Sequence, residues 1–148
     1  MTLKAFIAQA RKLSLLNGEM CVRASPGAYD WALLLTFGML YPPDATGYRE
    51  WGKGIVVECP WRLETQTEVI VGSGNTDGTI REKIQACVGR RAIETEVHLP
   101  SYTACICFDE GLTLWIFPDD SRDYALQSDH PSSPWYLVGR AIPPGWEE

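Results

Sequence analysis

The sequence lacks any long hydrophobic run, and it has few histidines and few basic residues. No apolar stretch approaches the ~20 residues that a membrane-spanning helix requires. The N-terminal segment interleaves lysine, arginine and glutamine with its apolar residues, whereas a secretory signal needs an uninterrupted apolar stretch. Lysine and arginine total 13 against 19 acidic residues, so the net charge is −6, and there are only two histidines. These absences predict a cytoplasmic protein that repels nucleic acid and anionic lipid.

Cysteine is present, but not in the pattern of a disulfide framework. The number of cysteines is odd, and they sit in apolar runs such as "IVVECPW", "IQACVG" and "TACICF", so buried, reduced thiols are expected. Their apolar surroundings would raise the thiol pKa and leave no reactive nucleophile. Cys105 and Cys107 are two apart in a predicted strand and share one face. Zinc-binding pairs are usually separated by two to four residues in a turn. Core packing is therefore predicted for both thiols, and no metal site.

Length and hydrophobic patterning predict one α+β domain spanning residues 1–148. A helix over 2–17 would end at Gly18, and a second, opened by a capping box at Thr79, would run to about Val88. Pro60 should mark an edge, a bulge or a break between strands. The remaining segments predict a strongly bent antiparallel sheet of about seven or eight strands. The strand candidates are "MCVRAS", "YDWALLLTFG", "IVVECPWRLET", "TEVIVG", "AIETEVHL", "YTACICF", "LTLWIFP" and "PWYLVGRAI". Alternation in "AIETEVHL" predicts one face with Ile93, Thr95 and Val97 and an opposite face with Glu94, Glu96 and His98.

Residues 39–54, "MLYPPDATGYREWGKG", predict a long loop rich in proline and glycine. Tyr48, Arg49 and Trp51 in this segment are of the types that dominate interface hot spots. The segment is either a recognition loop or a loop that these side chains simply anchor.

The glycine-rich segment "VGSGNTDGT", residues 71–79, resembles a phosphate-binding loop in outline. A Walker-type loop needs a lysine beside its last glycine, and a dinucleotide loop needs a third glycine where this chain has Asp77. A carboxylate there would repel phosphate. The segment from Gly72 to Thr79 is therefore predicted to form a turn that leads into a helix, with Asp77 and Thr79 satisfying the first amides.

No catalytic constellation emerges from the remaining polar residues. Asp109 and Glu110 fit a tight hairpin turn, and His130 lies in a polar loop without a clear orienting partner. The last thirty residues carry six acidic residues against two arginines, a net charge of −4 that could attract a basic protein. The acidic residues of this segment are Asp119, Asp120, Asp123, Asp129, Glu147 and Glu148.

The segments "VVECPWRLE", "IVGSGNTD", "CICFDEGLTLWIF" and "PWYLVG" carry a resemblance. The chain resembles a family of small, uncharacterised bacterial proteins with a Trp-Arg-aliphatic strand and a closing Trp-x-Leu strand. Some of these are similar to immunity proteins encoded beside toxins. The resemblance implies neither a catalytic residue nor a cofactor. The residues that fill its pattern are Trp61, Arg62, Gly72, Asp77, Phe108, Gly111 and Trp135.

The sequence as a whole predicts a protein-binding module that is not an enzyme and needs no cofactor. It would dock a basic partner protein, such as a toxin, through its acidic C-terminal segment and the 48–53 loop. Two alternatives remain open: a small-ligand or nucleotide-binding protein that uses Gly72–Thr79, and a structural homodimer formed by edge-strand pairing. Within the fold, Arg62 is expected to form an ion pair with Asp77, with an exposed position on its strand as the alternative.

Overall fold

The computed structural model describes residues 3–27, 32–44, 47–117 and 135–139. The order of elements is helix α1 (Leu3–Ser14), strands β1 (Cys21–Pro26), β2 (Leu33–Asp44), β3 (Gly47–Val57), β4 (Trp61–Glu64) and β5 (Val69–Gly72), helix α2 (Asp77–Lys83), a 3₁₀ turn (Ile84–Cys87), strands β6 (Ala92–His98) and β7 (Thr103–Phe108), a 3₁₀ turn (Asp109–Gly111), and strands β8 (Thr113–Ile116) and β9 (Trp135–Gly139). The α+β class is confirmed.

The strands form two antiparallel sheets, so the prediction of one bent sheet was wrong. Within the described residues, one sheet has the order β1-β2-β3-β9 and the other has the order β5-β4-β8-β7-β6. The chain passes from the first sheet to the second at Pro60, between Val57 and Trp61. Proline has no N–H to donate to a ladder, so the strand breaks there, as predicted. The Pro60 carbonyl instead accepts a hydrogen bond from the Phe117 amide at 2.8 Å.

The two sheets share one hydrophobic core with the helices. The rings of Phe37 in β2 and Phe108 in β7 stack across it, with centroids 6.0 Å apart and an interplanar angle of 9°. Leu13 of α1 and Ile80 of α2 are fully buried in the same cluster. Burying each large apolar side chain contributes about 1.5–3 kcal/mol, so this shared core holds both sheets together.

Backbone pairing near the start of β1 also joins the two sheets. The Gly18 amide donates to the Ala92 carbonyl at 2.7 Å, and the Ala92 amide donates to the Glu19 carbonyl at 2.8 Å. The Cys21 amide donates to the Arg90 carbonyl at 2.8 Å. Gly18 has a φ of +84°, a left-handed conformation that glycine adopts readily, so the chain turns here from α1 towards β1.

The segment 39–54 is mostly strand, so the loop prediction was wrong. Residues 39–44 complete β2, and residues 47–54 form the first part of β3. The register between the two strands shifts between Tyr41 and Asp44, where Pro42 and Pro43 lie. Prolines are tolerated in a hairpin at such an irregularity, which explains why this composition does not prevent pairing.

Helix α2 begins earlier than the capping box predicts. Its N-cap is Thr76, whose backbone is extended and whose hydroxyl oxygen accepts a hydrogen bond from the Thr79 amide at 3.4 Å. Thr79 therefore lies inside the helix, and neither it nor Asp77 supplies the cap. The helical segment ends close to the predicted position, through the 3₁₀ turn and Gly89, which has a φ of +86°.

None of the helices in the described part of the chain combines the length and apolarity that a membrane crossing would need.

Candidate functional site

The five-stranded sheet has one apolar face and one polar face. Strand alternation directs Leu63, Ile106 and Leu114 into the core, where each is fully buried. We call the opposite side of this sheet the outer face. Cross-strand pairing places the following residues on it: Arg62, Glu64, Glu94, Glu96, His98, Cys105, Cys107, Thr113 and Trp115. This concentration of polar and sulfur-bearing groups makes the outer face the first candidate for a functional site.

Three side chains on the outer face bring possible metal ligands together. His98 Nε2 lies 3.0 Å from Glu96 Oε2, and Cys105 Sγ lies 3.9 Å from the same oxygen. A nitrogen, an oxygen and a sulfur atom are all within 4.8 Å of one another. Among the described residues this is the one group of three or more His, Cys, Asp or Glu side chains that converges in this way. We call it the Glu96–His98–Cys105 cluster.

The pairing of β6 with β7 assembles the cluster. Glu96 stands directly opposite Cys105, and His98 stands opposite Thr103 at the next position along the same face. On the other side of β7, Cys105 is paired with Trp115 of β8. The His98 ring lies 6.3 Å from the Trp115 ring, tilted by 31°, so the tryptophan flanks the imidazole. Neighbours thus cover the thiol, while the imidazole and the carboxylate stay half-exposed.

Cys105 also has a sulfur atom as a neighbour. Cys107 Sγ lies 3.9 Å from Cys105 Sγ, and the register sets Cys107 opposite Glu94, away from His98. Burial, together with the adjacent Cys107 and Glu96, raises the pKa of the Cys105 thiol to about 12. Cys105 is therefore a protonated thiol at neutral pH unless a cation replaces its proton.

The sequence-based prediction for these two cysteines was half right. They do share one face, and all five cysteines of the chain are free thiols, as expected. That face, however, is the outer one, and Cys105 is buried there outside the cluster of core side chains that joins the two sheets. Trp115 is also on the outer face and is only partly buried. Sequence reasoning missed the cluster because it depends on how β6 and β7 align.

Arg62, also on the outer face, does not pair with Asp77 as predicted. Its Nε donates to Glu64 Oε2 at 2.7 Å, and its guanidinium lies 5.1 Å from the centre of the Phe117 ring. Asp77 instead contacts Arg81, one helical turn away, at 3.6 Å. Residues two apart on one strand face are close neighbours, which explains why the local acid competes successfully for Arg62. Trp61, beside it in sequence, is buried in the core.

The glycine-rich segment uses its backbone amides internally. The Gly72 amide donates to Asn75 Oδ1 at 2.8 Å, and the Ser73 amide donates to the Trp61 carbonyl at 3.0 Å. The Thr79 amide is taken by the Thr76 cap. A phosphate cradle needs several such amides pointing at the ligand. The turn that was expected here is confirmed, and these three amides are satisfied within the chain.

A shallow groove lies between β5 and α2, beside the glycine-rich segment. Its lining residues are Glu68, Val69, Ile70, Glu82, Lys83 and Ala86. Two carboxylates against one lysine make this groove unfavourable for an anionic ligand such as a nucleotide.

A second candidate feature is the far end of the β2–β3 hairpin. Pairing between β1 and β2 reaches only Phe37, and pairing between β3 and β9 reaches only Lys53. Beyond these points residues 39–44 and 47–52 pair only with each other among the described residues. We call this two-stranded segment the hairpin arm. At about 3.3 Å per residue, six residues per strand extend it by about 20 Å.

The hairpin arm contains the predicted recognition residues. The register pairs Trp51 with Met39 and Arg49 with Tyr41. Tyr48 follows Gly47 at the start of β3. The predicted acidic residues Asp119, Asp120, Asp123 and Asp129 lie outside the described residues, as does His130. Trp135 begins β9, where it is paired with Val57.

No family model, curated protein or solved structure matches this chain.

Proposed function

We propose that this protein is a binding module, not an enzyme, and that it docks a basic partner protein through the hairpin arm. The observation that carries the proposal is the arm itself, a two-stranded segment about 20 Å long whose outer edges pair with no other strand of the described residues. Unpaired strand edges offer a row of donors and acceptors to another chain. Trp51, Arg49 and Tyr48 add the side-chain types that dominate hot spots.

The charge of the chain favours a basic partner. The net charge is −6, and −4 of it belongs to the last thirty residues. Such an imbalance accelerates association with a positively charged surface and makes that association sensitive to salt. An immunity-type inhibitor that covers the active surface of a basic toxin fits both the charge and the resemblance given above.

The test is a binding titration with the purified product of the neighbouring gene. Wild type is compared with Trp51→Ala and with Val69→Ala, a control that truncates an apolar side chain 58% exposed on β5, away from the arm. We expect Trp51→Ala to lose about 2 kcal/mol or more, roughly 30-fold in Kd, since a hot-spot tryptophan contributes at least this much. Val69→Ala should bind like wild type.

Salt provides the second measurement. The association rate of the wild type should fall steeply between low and physiological ionic strength, while the dissociation rate changes little. Absence of binding at low salt, or equal affinity of the Trp51→Ala and Val69→Ala variants, would contradict the proposal. A chain that forms only a homodimer would show twice its mass in light scattering and no partner dependence.

A further inference from the structure

We propose that the Glu96–His98–Cys105 cluster is a binding site for a thiophilic divalent transition metal ion of the zinc type. Glu96 Oε2, His98 Nε2 and Cys105 Sγ would be the three protein ligands. The site is independent of the hairpin arm, and it rests on the geometry of the outer face alone.

The distances between the donor atoms fit such an ion. Four-coordinate zinc holds sulfur at about 2.3 Å and nitrogen or oxygen at about 2.0–2.2 Å, which places tetrahedral ligand atoms about 3.3–3.6 Å apart. The nitrogen–oxygen separation in the cluster is 3.0 Å, and the oxygen–sulfur separation is 3.9 Å. The first value lies below the required range and the second lies above it, and the three donor atoms are all within 4.8 Å of one another. Side-chain rotations that move the donor atoms by about an ångström would complete the geometry.

The donor set selects the class of metal. Calcium and magnesium take oxygen ligands almost exclusively, so a thiolate and an imidazole disfavour both. Sulfur, nitrogen and carboxylate oxygen together suit zinc and the ions that substitute for it, such as cobalt(II). The two strands supply ligands from adjacent positions of a paired ladder, a rigid scaffold that fixes their spacing before any ion binds.

The environment of Cys105 also favours a cation. The Cys105 thiol lies 3.9 Å from the Glu96 carboxylate and 3.9 Å from the Cys107 sulfur, and the His98 imidazole is within 4.8 Å of it. A bound cation would replace the thiol proton and offset the charge of Glu96. Glu96 and His98 are 42% and 48% exposed, so the fourth coordination position remains open to water.

Cys107 is a neighbour of the site and not a ligand. Its sulfur is close to Cys105 Sγ, but the register carries it away from His98, and it does not converge with Glu96 and His98 as Cys105 does. This difference between two cysteines of the same strand and the same face provides a matched control.

The experiment is a cobalt(II) titration of the full chain, stripped with a chelator and kept in a phosphine reductant. Cobalt bound through a thiolate gives a sulfur-to-metal charge-transfer band in the near ultraviolet, and four-coordination gives intense visible bands. We expect both in the wild type, and we expect stoichiometric zinc to displace them.

The variants then assign the ligands. Cys105→Ser should abolish the charge-transfer band, and His98→Asn and Glu96→Gln should each weaken cobalt binding by about tenfold or more, since loss even of a group that only supports a ligand costs 10–100-fold. Cys107→Ser and Glu94→Gln should bind within about threefold of the wild type. His98 is half-exposed, so His98→Asn tests the site even if Cys105→Ser folds poorly.

Three results would overturn the assignment. The first is a wild type that binds cobalt without a charge-transfer band, and the second is a band that persists in Cys105→Ser. The third is loss of binding in Cys107→Ser with unchanged binding in His98→Asn, which would place the ion on the two thiols alone. Circular dichroism of each variant confirms that it is folded.

Discussion

The two faces of β7 differ more than their sequence suggests. Ile106 and Phe108 point into the core shared by both sheets, whereas Cys105 and Cys107 point to the outer face with Glu96. The four β7 residues belong to one apolar run, "ACICF". Hydrophobic composition therefore identifies the strand but not the role of each face. The inner face stabilises the fold by burial, and the outer face gathers groups that bind ions and form ion pairs.

The largest expected loss of stability comes from truncating a buried side chain on the inner face of β7. Ile106→Ala should lower the free energy of unfolding by about 2–5 kcal/mol, because it removes buried methyl groups and leaves a cavity. The control is Ile93→Ala, since Ile93 is 60% exposed on β6 and should cost no more than about 0.5 kcal/mol. Chemical denaturation measures both. Equal losses would mean that the inner face is not the stabilising one.

Alkaline pH should destabilise the protein through its core thiols. Burial raises the pKa of the Cys21 thiol from 9.0 to about 12, and burial raises that of Cys87 as well. Between pH 9 and pH 12 the unfolded chain loses these protons while the folded chain keeps them. The unfolded state then binds fewer protons, so the free energy of unfolding falls with rising pH, by about 1.4 kcal/mol per pH unit for each thiol.

This pH effect is measured as the slope of the unfolding free energy against pH. Cys21→Ala should remove one thiol's share of the slope, whatever its effect on stability at neutral pH. A slope that is the same in the variant and in the wild type would show that Cys21 does not titrate in this range.

A smaller effect is expected from the ion pair on the outer face. Arg62→Met removes the ion pair between Arg62 and Glu64. The Arg62 side chain is 43% exposed and the Glu64 side chain is 25% exposed. Because solvent screens such a pair, the loss should be about 0.2–1 kcal/mol and should shrink in 1 M salt. A salt-independent loss would mean that the packing of Arg62 against Phe117 matters more than its charge.

The smallest effect should come from Cys107→Ser. Cys107 is only partly buried on the outer face, and serine has the same shape as cysteine with a slightly smaller, more polar end group, so stability should change by no more than about 0.5 kcal/mol in the absence of metal. Thermal unfolding of the chelated protein measures this change. A loss comparable with that of Ile106→Ala would remove the distinction between the two faces.

Local patterns predicted several elements well. The strands β1, β5 and β7, the strand break at Pro60 and the tight turn before Gly111 all follow from residues that are neighbours in sequence. The segment 39–54 was mistaken for a loop because proline and glycine content argues against strands. Paired backbone at an irregular hairpin overrides that preference. Ile93 was likewise assigned to the face of Thr95, but the register shifts between Ala92 and Glu94, and Ile93 is exposed.

By itself the sequence determined the class of the fold, the free state of the cysteines and the side of β6 that carries Glu94, Glu96 and His98, because each depends on composition or on spacing along one strand. Only the tertiary structure decided that Glu96 stands opposite Cys105 and that β3 and β4 enter different sheets. Strand register and sheet membership are set by turns and by packing between residues distant in sequence, and no local pattern encodes them.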